Sequence, residues 1–307
     1  MNKIWLTGDA VVDLIPDSHS TYLKCPGGAP ANVAVAISRL GQKSAFFGRV
    51  GDDPMGKFMI SILKQEGVST DYLRIDHQQR TSTVVVDLDE SGERSFTFMV
   101  KPSADQFITY DDIPDFHKGE WLHCCSIALA NEPSRSTTLE AIHRMKSVGG
   151  YVSFDPNLRD EVWDDKENII PTVKKAIALA DVVKFSDDEL TYLTNTTNIE
   201  EGLSIIERLN IPLVVVTQGK KGALVIFEGN QKLLSVKEIE PVDTTGAGDA
   251  FVGGLLARLS QTPSWKKSKV VFDAVHWGNI CGGLATTCKG AMTALPTLEQ
   301  VKRIDTI

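Results

Sequence analysis

The chain has 307 residues and a mass of 33.6 kDa, which fits roughly two domains or one large α/β domain with an appendage. Hydrophobic residues at 42% and charged residues at 23% exclude disorder as the default, and no run reaches the roughly 18 apolar residues of a membrane span. A net charge of −8 and a pI near 5.3 argue against non-specific binding to nucleic acid or anionic lipid, while leaving room for a local site for a small anion.

In chain order, short β-like runs alternate with helical patterns. Lys3–Thr7 reads as a strand, with too little apolar length before Thr7, Gly8 and Asp9 for a signal peptide. Val33, Ile37 and Leu40 recur at helical spacing, so Ala31–Leu40 is predicted as a helix. A strand over Ala45–Val50 follows. A helix over Pro54–Glu66 is opened by Asp53 and Pro54 and closed by Gly67. Further strands are predicted at Trp121–Cys124, Tyr151–Phe154, Val182–Phe185, Leu213–Thr217 and Ala223–Phe227. Helices are predicted at Ser134–Ser147, Pro171–Ala180, Asp187–Thr194 and Ile199–Leu209. This rhythm specifies an α/β fold, a doubly wound, mainly parallel sheet flanked by helices. Thr81–Leu88 and Arg94–Val100 break it: joined through Asp89–Glu93, they read as a hairpin. With Val11–Ile15 and Tyr22–Lys24 beside it, the hairpin makes a small β-sheet, expected as a lid formed by about 11–26 and 80–106 within a single 1–307 domain. A peripheral hairpin with no role fits the same pattern.

The five cysteines, Cys25, Cys124, Cys125, Cys281 and Cys288, are odd in number and form no Cys-x-x-Cys. They read as thiols of a reducing cytoplasm.

Three segments could carry chemistry. In Val242-Asp243-Thr244-Thr245-Gly246-Ala247-Gly248-Asp249-Ala250-Phe251, small residues precede the apolar run Ala250–Leu259, so a helix N-terminus there could accept a phosphate and Asp249 could act as a base. An ordinary Asp cap after a glycine turn fits the helix pattern equally well. In Cys25-Pro26-Gly27-Gly28-Ala29-Pro30-Ala31-Asn32 the glycines allow close approach of a ligand, and the Asn32 amide suits sugar hydroxyls. Asp155-Pro156-Asn157-Leu158-Arg159 follows a strand, where ligands of open α/β sheets bind. Asp9 and Asp13, Ser186 and Glu189, and Thr217 and Gly219 follow their strands in the same way.

Two imitations are set aside. Gly51-Asp52-Asp53-Pro54-Met55-Gly56-Lys57-Phe58 resembles a P-loop up to its lysine, but Phe58 stands where a hydroxyl must hold magnesium, and Asp52 and Asp53 would repel phosphate. Gly8-Asp9-Ala10-Val11 lacks the dinucleotide fingerprint that a dehydrogenase needs.

Taken together, the segments resemble the two motifs of the ribokinase-like (PfkB) carbohydrate kinases. The first runs from Gly27 through Asn32 and Gly41 to Gly48–Asp53 and Gly56, and the second spans Asp243–Phe251. The resemblance extends from Ile4 to about Pro296. Within the family, Gly8–Asp13, Cys25–Asn32, Ser95–Val100, Asp155–Arg159 and Gly290–Pro296 are most similar to bacterial fructokinases. Aminoimidazole riboside kinases share several of these stretches, and Val11 stands where ribokinases carry asparagine.

The resemblance implies an ATP-dependent fructokinase making fructose 6-phosphate. Asp249 would be its base, with Gly246, Ala247 and Gly248 as the anion hole. Asp9, Asp13, Gly27, Gly28, Asn32, Phe98 and Arg159 would hold the sugar. Ser186, Thr217, Gly219, Gly222, Gly248 and Asn279 would line the nucleotide site. Glu189 would act on Mg2+ through water, and Ser186 replaces the asparagine of the family's Asn-x-x-Glu element. Asp243, Thr245, Ala285, Cys288, Gly290 and Ala294 would surround an activating K+. A homodimer through the small sheet is also implied. The competing readings are an aminoimidazole riboside kinase or related sugar kinase and, from another class, a catalytically silent sugar- or nucleotide-binding regulator.

Overall fold

The computed structural model describes residues 2–88, 94–236 and 239–305; the predicted connection Asp89–Glu93 lies outside them. Apolar alternation along the strands builds the body. Ile4 and Leu6 pack into one core and Trp5 into another, and Leu213 and Val215 are divided in the same way from Val214 and Val216. Strands buried on both faces demand helices on both sides.

Among the described residues one sheet has nine strands. Its parallel members are β1 (Ile4–Thr7), β4 (Ser44–Gly51), β5 (Ser69–Asp76), β8 (Trp121–Cys125), β9 (Tyr151–Asp155), β10 (Val182–Ser186) and β11 (Leu213–Thr217). The antiparallel pair β12 (Ala223–Phe227) and β13 (Asn230–Leu234) extends one edge, giving the order β13-β12-β11-β10-β9-β8-β1-β4-β5. The edge strands β5 and β13 were not expected from the sequence. β5 carries Asp71, Arg74 and Asp76, and β13 carries Asn230, Gln231 and Lys232, so neither shows the apolar run of a central strand.

The first core is covered by α1 (Ala29–Arg39), α2 (Pro54–Gln65), α7 (Ala247–Leu259), α8 (Ser268–Ala285) and α9 (Leu298–Asp305). The second is covered by α3 (Ser134–Ser147), α4 (Ile169–Leu179), α5 (Asp187–Thr194) and α6 (Ile199–Ile206). Helix α7 is fixed by two adjacent glycines. A Cβ on Gly253 would lie 2.4 Å from the Ala36 Cβ of α1, and one on Gly254 would lie 2.7 Å from the Cys281 sulfur of α8. Hydrogen in place of a side chain lets α7 pass between its neighbours, and this sets where its N-terminus points.

The small sheet has the order β3-β2-β6-β7, from β2 (Val11–Ser18), β3 (Thr21–Gly27), β6 (Thr83–Leu88) and β7 (Arg94–Phe98). The segment that imitates a P-loop anchors its entry. Asp53 caps α2 by accepting from the Met55 and Gly56 amides at 3.0 and 2.8 Å, and also accepts from the Thr81 amide at 2.8 Å, just ahead of β6.

Candidate active site

The carboxyl ends of β1, β9 and β10, the N-termini of α1 and α7, and the small sheet enclose a cavity of about 280 Å³. Asp9, Asp13, Gly28, Asn32, Phe98, Arg159, Lys184, Ser186, Glu189 and Asp249 contribute to its wall. Residues separated by more than 200 positions meet here: the Asn32 amide donates to a carboxylate oxygen of Asp249 at 2.8 Å. Gly28 allows this approach. Its φ is +95°, and a Cβ there would lie 2.4 Å from the Asp9 carbonyl oxygen.

Asp249 lies in the first turn of α7, behind Gly246 at φ +76°. Burial raises its carboxyl to about 6, against the lowering effects of the Asn32 hydrogen bond and of Lys184 and Arg159. The Ala247 amide closes a turn on the Thr244 carbonyl at 3.2 Å, so by position the Gly246, Gly248 and Asp249 amides are left to face an anion. Burial and the neighbouring Asp105 push Asp9 up to about 7. One oxygen of Asp9 and the side-chain oxygen of Asn32 are buried without a hydrogen-bond partner among the described residues. Buried acceptors of this kind suit a ligand that donates through hydroxyl groups. Asp13 lies across Gly27, where an added Cβ would meet a carboxylate oxygen at 2.4 Å.

Sequence reasoning missed Lys184. This lysine is buried inside the apolar strand β10, with its ammonium 3.1 and 3.2 Å from the two oxygens of Asp155 and 4.0 Å from Glu189. The signal was present, because a charge in the middle of a central parallel strand is rarely buried without a partner. Burial pushes Asp155 up and the ammonium beside it pulls it down. Glu189 is held on both oxygens, by the Leu158 amide at 3.1 Å and the Ser186 amide at 2.9 Å. The Ser186 hydroxyl in turn accepts from the Glu189 amide at 3.1 Å, completing a capping box. Ser186 therefore lines the charged cavity with its hydroxyl engaged, beside Thr217 on the neighbouring strand.

The other residues expected at a nucleotide line a second cavity of about 580 Å³ on the far side of Gly248. Thr217, Gly219, Gly222, Gly248 and Asn279 are joined there by Val236, Ile239, Pro241, Phe251, Gly282 and Gly283, the apolar ones having given no signal in the sequence. The Asn279 amide donates to the Leu234 carbonyl at 2.9 Å, tying α8 to the end of β13. Gly248 lines both cavities.

The loops carrying the expected cation ligands also meet. Asp243 accepts from the Thr245 amide at 3.0 Å and from the Gly290 amide at 2.8 Å, and the Thr286 carbonyl accepts from the Val242 amide at 2.8 Å. Ala285 ends α8 just before this loop, Cys288 is exposed in it, and Ala294 closes the following turn. No cluster of three His, Cys, Asp or Glu side chains able to hold a metal occurs among the described residues.

This chain is similar to proteins whose activity is known. The fructokinase of Vibrio alginolyticus is 64% identical over 303 residues, covering 99% of each chain. The aminoimidazole riboside kinase of Salmonella typhimurium is 41% identical over 301 residues, covering 98% of this chain and 94% of that one. A crystal structure of fructokinase from Vibrio cholerae O395, with fructose, ADP and calcium ion bound, superimposes with a TM-score of 0.96 at 64% identity, covering 99% of this chain and 98% of the other. The family model described as pfkB family carbohydrate kinase matches residues 1–298. With a mainly parallel sheet, a separate small sheet and an aspartate at a glycine-rich helix N-terminus, the chain belongs to the PfkB family of carbohydrate kinases.

Proposed function

We propose that the protein is an ATP-dependent fructokinase that phosphorylates the C6 hydroxyl of fructose. The observation that carries this reading is Asp249, buried in the wall of a cavity that holds unpartnered acceptors and adjacent to Gly248, which also lines a second cavity. The 64% identity to fructokinases selects the sugar. In the proposed step Asp249 takes the hydroxyl proton while the sugar oxygen bonds to the γ-phosphorus. The bond from that phosphorus to the bridging oxygen breaks, and ADP leaves with the electron pair. The Gly246, Gly248 and Asp249 amides, at the positive end of α7, face the charge on the transferring group. Gly246 also holds the turn that presents them.

Asp9, Asp13, Asn32 and Arg159 would bind the sugar hydroxyls. The small sheet would act as a lid on the single α/β body, since Val84, Phe96 and Phe98 line the charged cavity. Mg2+ brought in by the nucleotide would supply charge neutralisation, and Glu189, with both oxygens held by amides, suits a contact through water. Asp243 joins the loop at 243–245 to the loop at 286–294 through the Gly290 amide, and carbonyls of these loops would hold K+ as activator. Tyr22, Leu23, Phe96 and Met99 are exposed on or beside the small sheet and would pair two copies of the chain. Free cysteines fit a cytoplasmic location.

The test is to incubate the protein with ATP, Mg2+ and fructose and to locate the product phosphate by 31P NMR. The reading requires fructose 6-phosphate. Phosphate on C1 would overturn the assignment of the reacting hydroxyl, and binding of both ligands without turnover would favour the silent regulator.

A further inference from the structure

The charged cavity presents an electrostatic conflict. Asp9, Asp13, Glu189 and Asp249 line it, yet the sugar-kinase reading brings the anionic end of a nucleotide against the same wall. Two cationic side chains stand among the lining residues, Arg159 and Lys184. Arg159 is exposed, and one of its guanidinium nitrogens donates to the neighbouring Leu158 carbonyl. Lys184 is 7% exposed, so its charge is screened far less.

An ammonium has three donors. Two bind the oxygens of Asp155, and Glu189 at 4.0 Å is beyond hydrogen-bond range. The third has no partner among the described residues. The ammonium borders the anion hole as well: a Cβ on Gly248 would lie 3.5 Å from the Lys184 nitrogen. Gly248 is also where the two cavities meet, so an anion crossing from one to the other passes this nitrogen.

We propose that Lys184 is a further catalytic residue, donating its third N–H to the phosphoryl group in transit while Asp155 holds the ammonium in place. The inference deepens the sugar-kinase reading and rests on it. The carboxylates of Asp155 and Glu189 also keep the ammonium protonated, above the ordinary range of lysine despite its burial. Asp155 is thus a positioning residue, acting through Lys184.

A purely structural role predicts something different. If Lys184 only neutralised Asp155, removing both charges would be harmless, because a buried ion pair can be replaced without loss of stability. The discriminating protein is therefore the double variant Lys184→Met, Asp155→Asn, with Lys184→Met alone as a second variant. The double variant is expected to bind fructose and ADP within about threefold of wild type by calorimetry, yet to lose roughly 100-fold in kcat, the scale of one preorganised donor. It should also lose the tight binding of ADP with tetrafluoroaluminate, which mimics the phosphoryl group in flight. Lys184→Met, provided ligands still raise its melting temperature, should show the same kcat loss. Turnover of either variant within about threefold of wild type would overturn the inference and leave the kinase reading intact. A wild-type protein that phosphorylates no sugar would bring down both.

Discussion

The two cavities that meet at Gly248 are built on opposite principles. The smaller is walled by buried charge: Asp9 and Asp249 are raised by burial, and Lys184 is clamped by Asp155. The larger combines Val236, Ile239, Pro241, Phe251 and the glycines of α8 with Thr217, Lys220, Glu240, Thr244, Asn279 and Thr286, and most of its exposed wall is apolar. On the proposed reading, one side handles a proton and a phosphoryl group, and the other offers shape and apolar surface to the flat ring of the nucleotide. Changes on the charged side should therefore act on kcat, and changes on the apolar side on nucleotide KM.

The largest effect is expected from Asp249→Asn. Losing the base should cost about 10²–10⁴-fold in kcat with ADP affinity retained, as measured by coupled assay and calorimetry. If nucleotide affinity fell as steeply as kcat, the separation between the cavities would break. Gly246→Ala comes next. A side chain at φ +76° carries about 1–3 kcal/mol of strain. Its Cβ would also lie 2.9 Å from the Ala291 Cα. The shifted α7 N-terminus should lose on the order of 100-fold in kcat.

On the apolar side, Gly283→Val fills the nucleotide cavity, since a Cβ there already lies 2.9 Å from the Ile239 Cδ1. Overpacking of about 1–3 kcal/mol corresponds to a rise of about 5- to 150-fold in the KM for ATP, with the KM for fructose unchanged. A rise in both would show that the cavities are coupled.

The pH dependence sharpens the account of the charged side. With the Asp249 carboxyl raised to about 6, the base is protonated at lower pH, so kcat should fall about tenfold per unit below that value. The smallest effect concerns stability. Asp9, raised from 3.8 to about 7, keeps its proton in the folded state where the unfolded chain has released it, so its ionisation erodes stability as pH rises through that window. Asp9→Asn should raise the melting temperature by about 2–4 °C at pH 8 and leave it unchanged near pH 4, while weakening fructose binding. A variant no more stable than wild type at pH 8 would show that Asp9 is ionised at no cost.

The same contrast governs what was legible in the sequence. The central strands and most helices show in the apolar periodicity, and the expected residues of the charged cavity come from the family motifs and from the polar residues that follow strand ends. Lys184 went unread because a single charge inside Val182–Phe185 looks like noise until Asp155 is seen beside it. The apolar wall is harder still: Val236, Ile239 and Phe251 are ordinary core residues in sequence, and only the packing of α7 and α8 turns them toward one cavity. Edge strands β5 and β13, polar along much of their length, lacked the continuous apolar run that marked the others. The segment that imitates a P-loop has a structural part: Asp53 ties the start of α2 to Thr81 at the root of the small sheet.

The central claim is that the charged cavity is fitted to fructose. It is tested most directly by the ratio of kcat/KM for fructose to that for aminoimidazole riboside, with ATP saturating and Mg2+ and K+ present. The account predicts a ratio well above one. A ratio below one would contradict it, leaving a PfkB kinase whose sugar cavity had been assigned to the wrong acceptor.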